Sequence, residues 1–300
     1  MPETEQETNA PVTGRQKLIA TLCILVGASL WGTTGLFNRY LMAGGLSPYS
    51  ITVIRNFGGL VLLALIFALH DRHVFHVKPA HLKYFLGTGT ISVLLFALCY
   101  FSCQEICSLA VASILLYTAP AMVVIFSAIL WKEPITQRKI AALLLTLLGC
   151  ACVTGIFGGS LTVTVTGILL GLASALFYAL YSIFGRYALA HYDSMTVTVW
   201  TFVFAGFGSL LFIRPAEFRA AFAQPSMLLF SLGLVVFSTV VPYLLYTTGL
   251  AKVESGKACI MASMEPVVAS LIGALVFGEP MTFLTLAGIG CVLAGVWILK

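Results

Sequence analysis

Residues 252–282 read KVESGKACIMASMEPVVASLIGALVFGEPMT, and residues 108–136 read SLAVASILLYTAPAMVVIFSAILWKEPIT. Each is an apolar run too long for a strand, interrupted by a proline and closed by a Glu-Pro pair. Lipid tolerates only backbone that satisfies its own hydrogen bonds, so runs of this length are read as membrane-spanning helices. A shift of 146 residues lays one stretch on the other: Ala112 on Ala258, Pro120 on Pro266, Glu133 on Glu279 and Pro134 on Pro280.

The correspondence extends outward on both sides. The same shift carries Tyr100 to Tyr246, Ala141 to Ala287 and Gly149 to Gly295. A shift of 147 carries Ala28, Phe37, Arg39 and Tyr40 to Ala175, Phe184, Arg186 and Tyr187. Apolar runs fall at about 17–38, 48–70, 82–102, 107–131, 137–157, 164–185, 195–213, 226–248, 255–277 and 282–299. The expectation is an all-α integral membrane protein with ten transmembrane helices in two five-helix repeats. Five is odd, so the second copy enters the membrane upside down and the repeats are inverted. The expected divisions are a disordered cytoplasmic tail over 1–16, a first repeat over 17–157 and a second over 158–300.

Composition supports the membrane reading. The 300 residues are 60% hydrophobic and only 9% charged, with mean hydropathy +1.02. A soluble domain carries about 25% charged residues, so an ordinary soluble enzyme, a disordered chain and a disulfide-rich secreted module are excluded. Most of the eight cysteines lie in apolar runs without paired ligand spacing, and are read as small buried thiols. His70, His73, His76 and His81 sit in or near a basic loop, where solvation explains them better than metal. No metal or other cofactor is expected, and no nucleotide-binding or hydrolase motif is present.

Basic residues set the orientation. With the amino terminus inside, the inner face collects Arg15, Lys17, Arg72, Lys78, Lys83, Lys132, Arg138, Lys139, Arg186, Lys252, Lys257 and Lys300. The outer face holds only Arg39, Arg214 and Arg219. Both termini are therefore expected in the cytoplasm.

The stretch GASLWGTTGLFNRYL (27–41), together with the two Glu-Pro stretches, resembles the EamA-type transporters of the drug/metabolite transporter superfamily. The resemblance runs over about residues 17–299. It implies a ten-helix inverted-repeat secondary transporter, linked most often to export of amino acids or other small metabolites. Two alternatives from the same class are an importer or an exchanger of sugars or nucleotide-linked metabolites. Other classes are a channel and a membrane-embedded enzyme using Glu265 and Lys257 as acid and base. The expected setting is a plasma (inner) membrane, with a small-molecule substrate, the lipid bilayer, no nucleic acid and a monomer or homodimer.

Ionisable residues inside spans are costly and point to water-filled interiors. Glu265, in the middle of the ninth span, directly precedes Pro266, which leaves the Ala262 carbonyl without its helical partner. Its repeat mate is Ala119, so the charge is an addition to one copy only. Lys257 also lacks a charged mate. Glu265 and Lys257 are expected to flank a central cavity, with a buried Glu satisfied locally and a snorkelling Lys as the plain alternative. Arg55 has three readings: a contact for a substrate carboxylate, an outward snorkel, or a partner of Glu265 or Glu105. Trp31 and Thr34 align with Tyr178 and Tyr181, and Tyr100 with Tyr246. Tyr117 and Pro120 share a face, as do Ser263 and Pro266. These aromatic and hydroxyl groups are candidate substrate contacts, with packing as the alternative, and Pro120 and Pro266 are candidate gating breaks. Glu133 and Glu279 are read as helix stops whose carboxylates are solvated or bonded locally.

Overall fold

The computed structural model describes residues 13–157 and 162–299, and every regular element among them is helical. Among the described residues eight helices are long and apolar enough to cross a membrane. They are α1 (Gly14–Ala43), α2 (Pro48–His70), α3 (Pro79–Ile106), α4 (Ala110–Trp131), α6 (Val165–Leu189), α7 (Ser194–Phe212), α8 (Pro225–Leu250) and α9 (Ser255–Phe277). Two shorter helices are α5 (Gln137–Val153) and the apolar α10 (Phe283–Ile298). Gln137, Arg138 and Lys139 fill the first turn of α5, which is why its apolar stretch is short.

Local chemistry sets the helix ends. A capping box between Thr13 and Gln16 starts α1 at Gly14, so the last residues assigned to the tail are helical. The rest of that tail, residues 1–12, lies outside the described residues. So does the expected repeat boundary at 158. Thr136 caps α5 and its mate Thr282 caps α10. Before them, α4 ends on Lys132 with φ 55 and α9 ends on Gly278 with φ 67. The Glu-Pro stretches thus build the same stop, turn and restart twice.

Three helices are broken partway along their length. In α4 the break falls at Tyr117–Thr118, and in α9 at Ala262–Ser263. The Ala262 carbonyl is not left open as expected: the amide of Glu265 tightens onto it at 3.1 Å, so the turn closes around Pro266. The break in α1, at Gly32–Thr33, was not expected, because no proline marks it. Here hydroxyls intrude on the ladder. Thr33 Oγ1 donates to Leu30 O at 2.7 Å and Thr34 Oγ1 to Trp31 O at 2.5 Å. Trp31 and Thr34 therefore do not share one continuous helical face. In α3 and α8 the ladder widens to π-type turns over Leu86–Leu94 and Val236–Val240, at matching places in the two halves.

Close helix pairs hold these elements. A β-carbon on Gly149 would stand 2.6 Å from Gly288 O, and one on Gly288 2.7 Å from Gly149 O, so α5 and α10 touch backbone to backbone. The small residues Gly288 and Gly295 of α10 are consumed inside the chain, whereas Gly290 faces open space. Gly249 lies against Ala20 and Gly27 against Pro242, so α1 runs antiparallel to α8. Together these pairs bring the start of α1, the finish of α10, the start of α5 and the start of α9 to one end, called here the basal end.

Candidate functional site

A hollow of about 450 Å³ opens at the end opposite the basal end. Its walls are the second half of α1 (Thr34, Asn38, Arg39), the end of α3 (Tyr100, Gln104), the first half of α4 (Ala110, Ser113, Tyr117) and the second half of α9 (Glu265, Pro266, Ser270, Gly273). All three broken helices face it near their breaks. Gly32 makes this possible in α1: a β-carbon there would stand 2.7 Å from Glu265 O, so only glycine lets the two breaks touch.

Glu265 lies at the floor. Among the described residues no hydrogen bond or ion pair engages its carboxylate. A carboxylate at this depth needs water, a proton or a cationic partner, because an isolated charge in a low-dielectric interior is expensive. Other groups at the floor are also unengaged. Among the described residues, Trp31 Nε1 and Asn38 Oδ1 are buried without a hydrogen-bond partner. The floor thus presents an acceptor at Glu265 and a donor at Trp31.

Beneath Trp31 an aromatic chamber of about 20 Å³ is lined by Phe96, Tyr178, Tyr181, Tyr243 and Tyr246, with Ser92 and Ser182. Trp31 meets Tyr243 edge-on at 5.2 Å and Tyr246 at 5.1 Å between ring centres. Tyr181 donates to or accepts from Thr247 Oγ1 at 2.7 Å, and Tyr246 pairs with Ser182 Oγ at 2.8 Å. Those two hydroxyls are committed to packing, and their rings form the chamber wall. A further crevice of about 10 Å³ joins Tyr117, Pro120, Tyr178, Ser263 and Glu265. Trp31 stands between the open hollow and the chamber, Tyr117 between the hollow and the crevice, and Tyr178 between the two small spaces.

The structure gathers Trp31, Tyr100, Tyr117, Glu265 and Pro266 around the open hollow and Tyr117, Tyr178, Ser263, Pro120 and Glu265 around the adjoining crevice, with Tyr181 and Tyr246 lining the chamber. Arg55 approaches from α2, near enough for its charge to act on Glu265, but among the described residues it forms no ion pair with Glu265 or Glu105. Its Nη2 donates to Tyr243 OH at 3.4 Å, its guanidinium lies 5.8 Å from that ring centre, and its Nε is unpartnered. Lys257 is not brought to the site. It lies at the basal end, 3.6 Å from Glu254 Oε1, one turn away on the same chain segment. Eight residues of rise separate it from Glu265, and the Glu254 charge draws it the other way. Sequence reasoning missed Tyr243, Asn38, Gln104 and Phe96. Tyr243 gives no repeat signal because its mate is Ala97, and Asn38 looks like an ordinary helix residue until the break in α1 turns it inward.

A second hollow of about 470 Å³ opens beside the first, over Cys152, Phe157, Pro280 and Thr285, and shares Ser270 and Glu279 with it. Among the described residues its lining holds no buried charge. Among the described residues no group of three or more His, Cys, Asp or Glu side chains gathers as metal ligands would.

The Glu-Pro pairs are helix stops as expected, and the Glu279 side chain is about half exposed, but solvation and local bonds are not all that holds the carboxylates. Each is gripped by an arginine from the other half of the chain. Arg39 pairs with Glu279 at the open end, and Arg186 pairs with Glu133 at the basal end. Each guanidinium also covers an aromatic ring, Arg39 over Phe277 at 4.4 Å and Arg186 over Trp131 at 4.3 Å. The basal pair is joined by Lys139, whose Nζ lies 3.4 Å from Glu133 Oε2 and 2.7 Å from Glu254 Oε2. The second contact is an ion pair off the hydrogen-bonding line.

The EamA-like transporter family matches residues 18–155 and again residues 165–300. Among similar proteins, a transporter of Archaeoglobus fulgidus, itself uncharacterised, is 31% identical over 275 residues, covering 92% of this chain and 94% of its own. The threonine/homoserine exporter RhtA of Escherichia coli K12 is 27% identical over 280 residues, covering 92% and 87%. A solved crystal structure with 18% identity superposes with a TM-score of 0.78 over 93% of this chain and 95% of its own, a likeness of fold. The apolar helices and the twofold match over almost the whole length lead to one conclusion: this chain is a multi-pass membrane protein belonging to the EamA-like transporter family.

Proposed function

We propose that this protein is a secondary carrier that exports an amino acid or a related small metabolite by alternating access. In this reading the ten helices form two inverted five-helix repeats, over 17–157 and 158–300. Both termini lie in the cytoplasm of a plasma (inner) membrane, and the hollow opens outward. Matching π-turns in α3 and α8, matching breaks in α4 and α9 and matching Glu-Pro stops support the repeat. The name of RhtA, an exporter of threonine and homoserine, supports the substrate class.

The observation that carries the proposal is the Glu265 carboxylate, engaged by no hydrogen bond or ion pair among the described residues, at the floor of a hollow that opens at the end opposite the basal end. A primary ammonium group would supply Glu265 with its missing donors, and a substrate carboxylate or carbonyl would accept from Trp31 Nε1. With no substrate bound, a proton would satisfy the same carboxylate, which provides a route to proton coupling. Lys257 stands apart from Glu265, so the acid–base pair needed by the membrane-enzyme alternative is not assembled.

The test is uptake into proteoliposomes across a panel of amino acids, sugars and nucleotides, with and without a proton gradient. Saturable transport of amino acids is expected. Glu265→Gln should reduce it to background while the purified protein keeps its elution profile. Transport by Glu265→Gln at the parent rate would remove both roles of the carboxylate. Transport of sugars or nucleotides alone would favour the exchanger reading.

A further inference from the structure

The basal end is closed by one contact that has no counterpart at the open end. There the first half of α9 lies against the second half of α4: a β-carbon on Gly256 would stand 3.2 Å from Val124 Cγ2. Shifted by 146 residues, Gly256 becomes Ala110 and Val124 becomes Ser270. Both of these line the open hollow, on α4 and α9. One pair of mated positions is therefore in contact and the other is separated by the hollow.

Charge follows the same asymmetry. Lys139 is 3% exposed and bridges two carboxylates. Glu133, held by Arg186, ties it to the end of α4 and to α6. Glu254, at the start of α9, is the member that arrives across the closed contact. The mates of Lys139 and Glu254 are Thr285 and Ser108, neither of them charged. The Arg39–Glu279 and Arg186–Glu133 pairs occur at both ends, so they do not distinguish a closed end from an open one. The Lys139–Glu254 pair does.

We propose that the Lys139–Glu254 ion pair is a basal latch. It holds the first half of α9 against α4 and biases the carrier toward the state with the opposite end open. Opening the basal end requires Glu254 to leave Lys139, while Ala110 and Ser270 approach each other. The breaks at Tyr117–Thr118 and Ala262–Ser263 let each helix half swing without unravelling its partner half. Lys257, one turn along on the same segment, keeps a cation beside Glu254 once Lys139 is released.

The latch rests on the carrier reading only in requiring that the basal end open, and its test needs no substrate. Ala110→Cys and Val124→Cys are made separately, and each is labelled with a bulky maleimide in detergent, the parent chain's labelling being subtracted. In the parent background position 110 should label quickly and position 124 slowly. Adding Glu254→Gln should slow labelling at 110 and speed it at 124, each by roughly two- to fivefold, the range an ion pair with one partly exposed member supports. Glu254→Asp, which keeps the charge, should return both rates toward the parent. If Glu254→Gln does not fold, raising the salt from about 0.05 to 1 M on the reporter chains should move the two rates in the same opposed directions. Unchanged rates, or rates rising together at both positions, would overturn the latch. Neither result would touch the transport assay for Glu265.

Discussion

The two ends of this molecule carry the same clamp in different surroundings. At the open end Arg39 and Glu279 meet with side chains 51% and 46% exposed. At the basal end Glu133 is 6% exposed and serves two cations, Arg186 and Lys139. A pair in water contributes little, because solvent competes for both charges. A pair withdrawn from water leaves a costly orphan when one partner is removed. The chemistry of each clamp follows from its residues, and its energetic weight follows from whether that end is closed.

The contrast can be broken most forcefully at Glu133. Glu133→Ala removes one of the two carboxylates at Lys139 and the carboxylate that holds Arg186; it should destabilise the protein by about 3 kcal/mol, the low end for a buried pair because Lys139 keeps Glu254 and Arg186 retains partial access to water. The mated change Glu279→Ala should cost about 0–1 kcal/mol. Thermal unfolding of the two variants in one detergent measures the difference. Equal losses would mean that the two ends are equally closed in solution.

Glu217 gives a smaller, pH-dependent test at the open end, outside the membrane-spanning helices. Partial burial raises its pKa, but the Ser47 amide at 2.8 Å, the Ser47 and Ser50 hydroxyls and Arg214 outweigh this and bring it down to about 2. Because the folded value is depressed, its stabilisation is fully present above the ordinary carboxylate value. It is lost as pH falls from about 4.5 to about 2. The melting points of the parent and Glu217→Gln should differ at pH 6 and converge near pH 2. A constant gap across that window would assign the difference to packing.

The smallest effects are expected at the two helix stops. Gly278 and Lys132 both take the left-handed conformation, one without strain and one with it. Gly278→Ala should cost about 1 kcal/mol. Lys132→Gly should gain about 0.5 kcal/mol or less, since relief of strain is offset by a freer unfolded chain. Denaturation midpoints would show the opposite signs. A loss at Lys132 would mean that its side chain holds the basal end by a contact beyond its backbone.

Much of the architecture was legible before folding. Long apolar runs can only be helices in lipid, and the shifts of 146 and 147 exposed the duplicated stretches. Glu265 was identifiable because a charge beside a proline in mid-span has no cheap structural excuse. The break in α1 was hidden, because it depends on where two threonine hydroxyls turn and not on a proline. Lys257 was misleading for a related reason. Its distance from Glu265 along the helix was readable, but the nearby carboxylate of Glu254 took precedence once the loop before α9 was formed.

By itself the chain determined which segments are apolar enough to enter a membrane, where they stop and that two similar halves must be accommodated, because solvation and backbone hydrogen bonding act on each segment alone. The folded structure decided which arginine meets which glutamate, which aromatic hydroxyls are spent on packing, and which end stays apart. Those outcomes depend on distances between residues far apart in sequence, and a periodicity read along one segment does not contain them.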